Sequence, residues 1–379
     1  MARSHASGHG TPRDDSLDGR AVSTRFFVTG AQGFVGRYVT AHLLTSRPDA
    51  EVVGIGRSPE LRDTFPHSIR WADARLPAPL PTELELTSSH PAYHYASVDL
   101  NARAPLTRAL RAFRPHVVIH LASALRDDAP IDLIRTNIEA TRALMETLAD
   151  AELDLRRVII CSTGGVYGAP GAAPLPFDET AACHPVDLYS MSKLVVERLS
   201  RALAIRHGIE TVWARLFNVV GAGEDDRHVG PEFARQVTEI RHGVRPPIVD
   251  VGDLQTTRDF IDVRDVAVAL STLVDHGAAG KTYNVATGTE SSIRSLLDLV
   301  LETAGLQGSI EVQHRSTKGG GPSRHFADTR RLRALGWEPR FDLARSASDM
   351  VEYYMIRVTE AARSSPAGSH VARGPMDFR

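Results

Sequence analysis

Short apolar runs alternate along most of the chain with longer segments whose apolar positions recur at helical spacing. The first run, Phe26 to Val28, predicts a buried strand that passes through Gly30, Gly33 and Gly36 into an amphipathic helix beginning near Phe34. That helix reaches about Ser46 and stops at Arg47-Pro48-Asp49, before a second strand over 51–55. Residues 59–94 break the pattern. Five prolines fall between Pro66 and Pro91, so the segment reads as an irregular surface excursion. Periodicity resumes with a strand over 95–98, a helix over 105–113 and a strand over 116–120. A helix over 131–148, a strand over 157–161, a helix over 189–207 and a strand over 211–216 follow. Strands alternating with helices at this spacing predict right-handed βαβ units and an α/β fold with a doubly wound parallel sheet.

Beyond residue 175 the alternation loosens into helices over 231–242, 263–275 and 293–304, a strand over 283–285, the segment 259–262 and a last helical section from about Thr329. The expected organisation is a first lobe over 25–175, with its sheet completed by 189–220 and 259–285. A smaller α/β lobe takes most of 176–357, with a ligand cleft between the two. Segments 1–24 and 361–379, rich in small and polar residues, read as disordered tails.

Composition narrows the function. Hydrophobic residues make up 42% and charged ones 24%, as in ordinary globular chains, and the formal charge of −2 offers no basic field for nucleic acid or a membrane surface. Two cysteines, Cys161 and Cys183, make no disulfide framework and match no metal spacing, which suits a reducing cytoplasm. No apolar run has the length of a membrane span, and the first residues lack the apolar segment of a signal peptide.

Candidate chemistry begins at Gly30-x-x-Gly33-x-x-Gly36, between a strand and a helix. Glycines there permit a sharp turn and the close approach of a pyrophosphate, and the helix N-terminus supplies free N–H groups, so a dinucleotide is expected. About twenty residues on, where an acidic residue would hold the adenosine ribose, stand Gly56 and Arg57. A missing carboxylate beside an arginine favours a 2′-phosphate, hence NADP, with NAD as second choice. In Tyr189-x-x-x-Lys193 the two side chains share one helix face, and a cation near a phenol lowers its pKa for proton transfer.

Taken together with Asp99-Leu100, His120-Leu-Ala122, Asn137, Ser162-Thr-Gly-Gly-Val-Tyr-Gly168, Arg215-Leu-Phe-Asn218, Arg258-Asp-Phe260 and Leu335-Gly-Trp337, these motifs resemble the extended short-chain dehydrogenases/reductases of the nucleotide-sugar epimerase/dehydratase family, over roughly residues 25–357. The resemblance implies Thr163, Tyr189 and Lys193 as catalytic residues on a Rossmann-type sheet. It implies Gly30, Gln32, Gly33, Phe34, Val35 and Gly36 at the cofactor, with Asp99 and Leu100 near adenine and Leu121, Ala122, Ser123, Asn137 and Phe217 further along it. Asn218, Arg258 and Lys318 fall where the family holds a nucleotide-sugar pyrophosphate. A homodimer is implied through the helices over 131–148 and 189–207.

Three features bear on the reaction. Gly164 and Gly165 occupy positions where dehydratases carry an Asp-Glu pair, which argues against dehydration and leaves that wall open. The segment 231–264 is similar to GDP-4-keto-6-deoxymannose reductases. The stretch between His120 and Asn137 is short for the family and carries Arg126-Asp127-Asp128, making Arg126 a candidate contact to an atypical sugar. The expectation is keto-reduction of a nucleotide-linked sugar. An NAD(P)-dependent epimerase stands second, and a dinucleotide-binding sensor is the reading of another class.

Overall fold

The computed structural model describes residues 23–169, 171, 174–315 and 323–364. In chain order the first half runs β1 (Thr24–Thr29), α1 (Phe34–Ser46), β2 (Ala50–Gly56), β3 (Thr64–Trp71), β4 (Ala74–Pro79), β5 (Tyr93–Ser97), α2 (Arg103–Phe113) and β6 (Val117–His120). A long helical run follows, α3 (Pro130–Asp132), a π-helical stretch (Leu133–Glu139) and α4 (Ala140–Asp150). After it come β7 (Arg157–Thr163), α5 (Leu188–His207) and β8 (Thr211–Leu216). The remainder is β9 (Asn218–Val220), α6 (Val229–Arg241), β10 (Ile248–Val251), β11 (Thr257–Arg258), β12 (Phe260–Asp262), α7 (Val263–His276), β13 (Thr282–Val285), β14 (Ser291–Ser292), α8 (Ile293–Thr303), β15 (Glu311–His314), β16 (Arg324–His325), α9 (Arg330–Arg333) and α10 (Leu343–Tyr353).

Seven parallel strands form the main sheet in the order β13-β8-β7-β6-β1-β2-β5. Period-2 alternation explains why both faces are covered. Phe26 and Val28 of β1 turn toward α1 and α7, meeting Val39, Leu43, Val266 and Leu270. Phe27, between them, turns toward α2, α4 and α5, meeting Leu106, Leu144 and Val196. The connection order reverses between β1 and β6, which opens a crevice at their carboxyl ends; in such sheets that is where ligands bind.

The excursion expected over 59–94 is instead a packed hairpin. β3 and β4 pair antiparallel, and Phe65, Ile69, Trp71, Leu76, Ala78 and Leu80 are buried in the main core. Its prolines Pro77 and Pro79 are tolerated because the hairpin is a two-stranded sheet with open edges. The hairpin straps the first lobe to the second. Arg70 N–H donates to Asp226 at 2.8 Å, Ala72 N–H to Glu239 at 3.0 Å, and the Tyr353 hydroxyl to the Pro79 carbonyl at 2.8 Å.

The smaller lobe packs α10 against α6 and α8, beside the parallel pair β10–β15 and the three-stranded set β14-β11-β16. Among the described residues no helix is long and apolar enough to cross a membrane, and no group of three or more His, Cys, Asp or Glu is placed to hold a metal ion.

Candidate active site

The glycine loop is shaped by contacts that only glycine permits. Gly30 has φ +71°, and a Cβ there would lie 2.8 Å from the Ala122 nitrogen, so the turn after β1 presses on the end of β6. A Cβ on Gly36 would fall 2.2 Å from the Gly30 carbonyl oxygen, which seats the first turn of α1 directly on the loop. Gly33 caps α1 without a side chain, leaving the N-terminal N–H groups facing the crevice rather than a capping oxygen. This cradle fits a dinucleotide pyrophosphate.

Side chains of the loop also hold the surrounding structure together. Gln32 is buried, and its amide donates to Ser58 Oγ (3.2 Å) and the Pro59 carbonyl (3.0 Å) while accepting from Leu61 N–H, so it braces the 58–61 segment. Phe34 packs edge-on against Tyr38 and Phe65, and Val35 lies against the core. Sequence reasoning passed over Arg37. It is 1% exposed and donates to Ser88 Oγ and the carbonyls of Leu61 and Thr64, anchoring the chain after β2.

At the end of β2, a Cβ on Gly56 would lie 2.6 Å from the Tyr95 hydroxyl, which donates to the Ser58 carbonyl at 2.9 Å. A carboxylate side chain there would have to displace that hydroxyl. Arg57 is exposed beside it, Asp99 is exposed at the end of the neighbouring β5 on the same bank with Oδ1 accepting from Asn101 N–H, and Leu100 is buried in the core.

Leu121, Ala122 and Ser123 line the other bank, partly exposed. Behind them, in the π-helical stretch, Asn137 is 1% exposed. Its Oδ1 accepts from Ala124 N–H (2.8 Å) and Ser123 Oγ (3.1 Å), and its Nδ2 donates to Ser192 Oγ, which in turn donates to the Tyr189 carbonyl. With every polar atom engaged, Asn137 ties the loop to the turn of α5 that carries Tyr189. His120 joins β1 to α4 through Thr29 and Thr141, and burial pushes it down to about 3, so it is neutral.

Thr163 ends β7 and accepts from Gly165 N–H at 3.1 Å, leaving its hydroxyl proton to donate outward. Tyr189 and Lys193 come from α5, whose N-cap Asp187 accepts from Ser190 N–H at 2.9 Å. Lys193 is 4% exposed, and burial brings it down to about 8 despite Cys161 and Glu197 nearby. The phenol of Tyr189 lies above its ordinary value. Burial is the main cause, with Arg126 and a hydrogen bond from Ser123 pulling the other way. The expected lowering by Lys193 is therefore not what prevails here, because desolvation penalises the phenolate more than neighbouring cations favour it. One turn on, Glu197 holds Arg215 through two bonds of 3.0 and 2.8 Å, both side chains buried, and this pair fixes α5 against β8.

The wall beyond Thr163 is closed, not open as Gly164 and Gly165 suggested. A Cβ on Gly164 would lie 2.8 Å from the Phe217 ring, and one on Gly165 would lie 2.5 Å from Ser190 Oγ. Phe217 packs against His325 (5.0 Å) and Tyr167 (6.2 Å), so its ring is part of this wall. His325, which carried no sequence signal, takes part in a 3.0 Å hydrogen bond with the Gly164 carbonyl, and burial pushes it down to about 4.

Asn218 and Arg258 stand on short strands of two different small sheets, β9 and β11, linked by Asp259: the Asn218 amide donates to its carbonyl, and its buried carboxylate accepts from Thr287 and Gly288 N–H. Arg126 lies over the Tyr189 ring, 5.6 Å from the centroid, ion-paired with Asp187 and close enough to Arg258 to disfavour its charge. Asp128 accepts from Leu125 N–H and pairs with Arg227, while Asp127 is exposed. Lys318 lies outside the described residues.

Comparison with known proteins agrees with this geometry. Residues 26–286 match the NAD dependent epimerase/dehydratase family. The chain is 30% identical over 353 residues to a GDP-6-deoxy-D-mannose reductase of Pseudomonas aeruginosa, covering 89% of this chain and all of that one. Among solved structures, RMD from Pseudomonas aeruginosa complexed with NADPH superposes with a TM-score of 0.70 at 30% identity, over 88% of this chain and 100% of that one. A Thermus thermophilus UDP-glucose 4-epimerase complex with NAD gives 0.70 at 25% identity, over 87% and 99%. A glycine cradle at the sheet's switch point, a Tyr-Lys pair beside it and a match across most of the sheet lead to one conclusion: this chain belongs to the NAD dependent epimerase/dehydratase family, the extended short-chain dehydrogenases/reductases.

Proposed function

We propose that this protein reduces the keto group of a nucleotide-linked deoxysugar with NADPH, GDP-4-keto-6-deoxymannose being the first substrate to test. The observation that carries this reading is the Tyr95 hydroxyl packed on Gly56. It crowds the position of the ribose-binding carboxylate that retains NAD, which would have to displace the Tyr95 hydroxyl, and it leaves Arg57 beside an exchangeable, 2′-phosphorylated cofactor. The filled space at Gly164 and Gly165 speaks against the paired acid and base of a dehydratase.

Bound in the glycine cradle, a reduced nicotinamide supplies the hydride. The chain supplies the rest. Thr163 donates to the substrate oxygen, and Tyr189, kept protonated at neutral pH by burial, passes its proton to that oxygen as charge develops. Lys193 holds the nicotinamide ribose, and Asn218 and Arg258 grip the pyrophosphate. Leu121 to Ser123 and Asp99 to Leu100 flank the cofactor. The protein should oxidise NADPH in proportion to the keto-sugar added. Interconversion of a nucleotide-sugar without net cofactor use would assign an epimerase instead, and cofactor binding without any turnover would assign a sensor.

Arg57→Ala should weaken NADPH binding about 10- to 100-fold, the worth of a charge-assisted contact, and leave NADH binding unchanged. Titration calorimetry with both cofactors checks this. We also place the protein in the cytoplasm, in keeping with its two free cysteines, and as a homodimer. Ile134, Leu188, Met191 and Val195 are 39–58% exposed on the packed helices α5 and the 130–150 run, an apolar face suited to a second copy. Sedimentation equilibrium should give twice the chain mass; a monomer at micromolar concentration would reject the assignment.

A further inference from the structure

We propose that His325 is the positioning residue that couples the pyrophosphate grip to the catalytic loop: its imidazole, clasping the Gly164 carbonyl, holds Thr163 in register with Arg258. The inference rests on the reading of Arg258 as pyrophosphate grip and of Thr163 as donor to the substrate oxygen. It adds what keeps those two ends of one bound substrate at a fixed spacing.

Three observations build it. His325 on β16 is the register partner of Arg258 on β11, and its carbonyl accepts from Asp259 N–H at 3.0 Å, so the two backbones are laddered together. Its side chain reaches the end of β7, where Nε2 lies 3.0 Å from the Gly164 carbonyl oxygen. A carbonyl only accepts, so Nε2 carries the proton and donates. Gly164 follows Thr163 directly and opens the turn whose Gly165 N–H donates to Thr163 Oγ1 at 3.1 Å, so the clasp bears on the donor's own backbone. The imidazole itself is fixed. It is 6% exposed, with the rings of Phe177 and Phe217 at 5.4 and 5.0 Å.

A nucleotide-linked sugar is held at its pyrophosphate and reacts at its carbonyl. The spacing between Arg258 and Thr163 therefore decides whether the carbonyl meets its donor, and a misplacement of about 1 Å can cost about 10²-fold in rate. Without the imidazole N–H, the Gly164 carbonyl loses its partner inside an aromatic wall, and the turn after Thr163 is free to shift.

The test compares His325→Gln with His325→Asn in the full chain, because the two amides share their chemistry and differ by one methylene of reach. His325→Phe is the companion that keeps a ring and loses the donor. Titration calorimetry with NADPH shows which variants are folded, and the Gln–Asn pair decides even if the Phe protein is not. For keto-sugar reduction, kcat should stay within about threefold of wild type in His325→Gln and fall about 10- to 100-fold in the other two, with KM little changed. Equal rates in the Gln and Asn variants would overturn the proposal, as would a loss confined to KM, the mark of a substrate contact alone.

A second readout needs no turnover. In a Gly320→Ala background, Gly164-Gly165 is the sole Gly-Gly pair of the sequence, so glycine labelled at its carbonyl carbon and amide nitrogen gives one carbonyl–amide correlation, at the clasp. GDP or UDP, whichever calorimetry shows to bind tighter, is added to the NADPH-loaded protein. The signal should shift with His325 or His325→Gln and stay in place with His325→Asn. An unmoved signal with His325, or an equal shift in the Asn variant, would overturn the coupling whatever the protein reduces, so failure of the assumed reaction and failure of this role are separable.

Discussion

Replacing Tyr189 with phenylalanine should lower kcat by about 10²- to 10⁴-fold, the usual worth of a positioned proton donor, and leave NADPH binding within a few-fold of wild type. Tyr189 lies under the Arg126 guanidinium, 5.6 Å from its ring centroid, in the first turn of the helix whose Ser190 abuts Gly165 beside Thr163. The ring, its stacking on Arg126 and the Asp187 cap survive the substitution, so the loss reports the hydroxyl. Stopped-flow single turnovers with a preformed enzyme–NADPH complex check it, because they separate the chemical step from binding. A variant that keeps near-wild-type single-turnover rates would remove Tyr189 from the proton path.

Gly36→Ala should damage the cofactor cradle severely. Its Cβ would stand 2.2 Å from the Gly30 carbonyl oxygen and 2.8 Å from the Ala31 Cα, both backbone atoms that cannot rotate away. Either α1 lifts from the loop or the loop shifts, and both outcomes spoil the alignment of N–H groups at the helix start. Overpacking of this kind costs about 1–3 kcal/mol or more in stability. Cofactor affinity should fall by at least about tenfold. Thermal unfolding with and without NADPH reads both effects: the variant should melt lower and lose most of the shift that cofactor gives the wild type. Gly33→Ala is the control, since its Cβ would meet only the Gly30 carbonyl oxygen, at 3.2 Å.

The parallel sheet was legible because its strands are continuous apolar runs, such as Val117 to Ile119, between helices of clear period. The glycine cradle and the Tyr189–Lys193 pair were legible because each depends on spacing along one short segment. What sequence concealed depends on distant neighbours. The β3–β4 hairpin was masked by prolines, although Leu76, Ala78 and Leu80 carry a period-2 pattern, because its burial is decided by α6 and α10 far along the chain. The gap at Gly164 looked open because nothing local shows that Phe217, more than fifty residues later, fills it. The side chains of Gln32, Phe34 and Phe217 also brace a loop, the core and the site wall, contacts that no local spacing announces. Tyr189 was expected to be acidified by Lys193, yet the balance of burial against charge is a property of the assembled site.

The central claim is that hydride passes from an exchangeable NADPH to a keto-sugar in the crevice between β1 and β6. Supplying NADPH deuterated at the transferring position of C4, with GDP-4-keto-6-deoxymannose, tests it most directly. The account predicts one deuterium on the former carbonyl carbon of the sugar for each NADPH oxidised. A nucleotide-sugar that is interconverted without deuterium and without net loss of NADPH would contradict it.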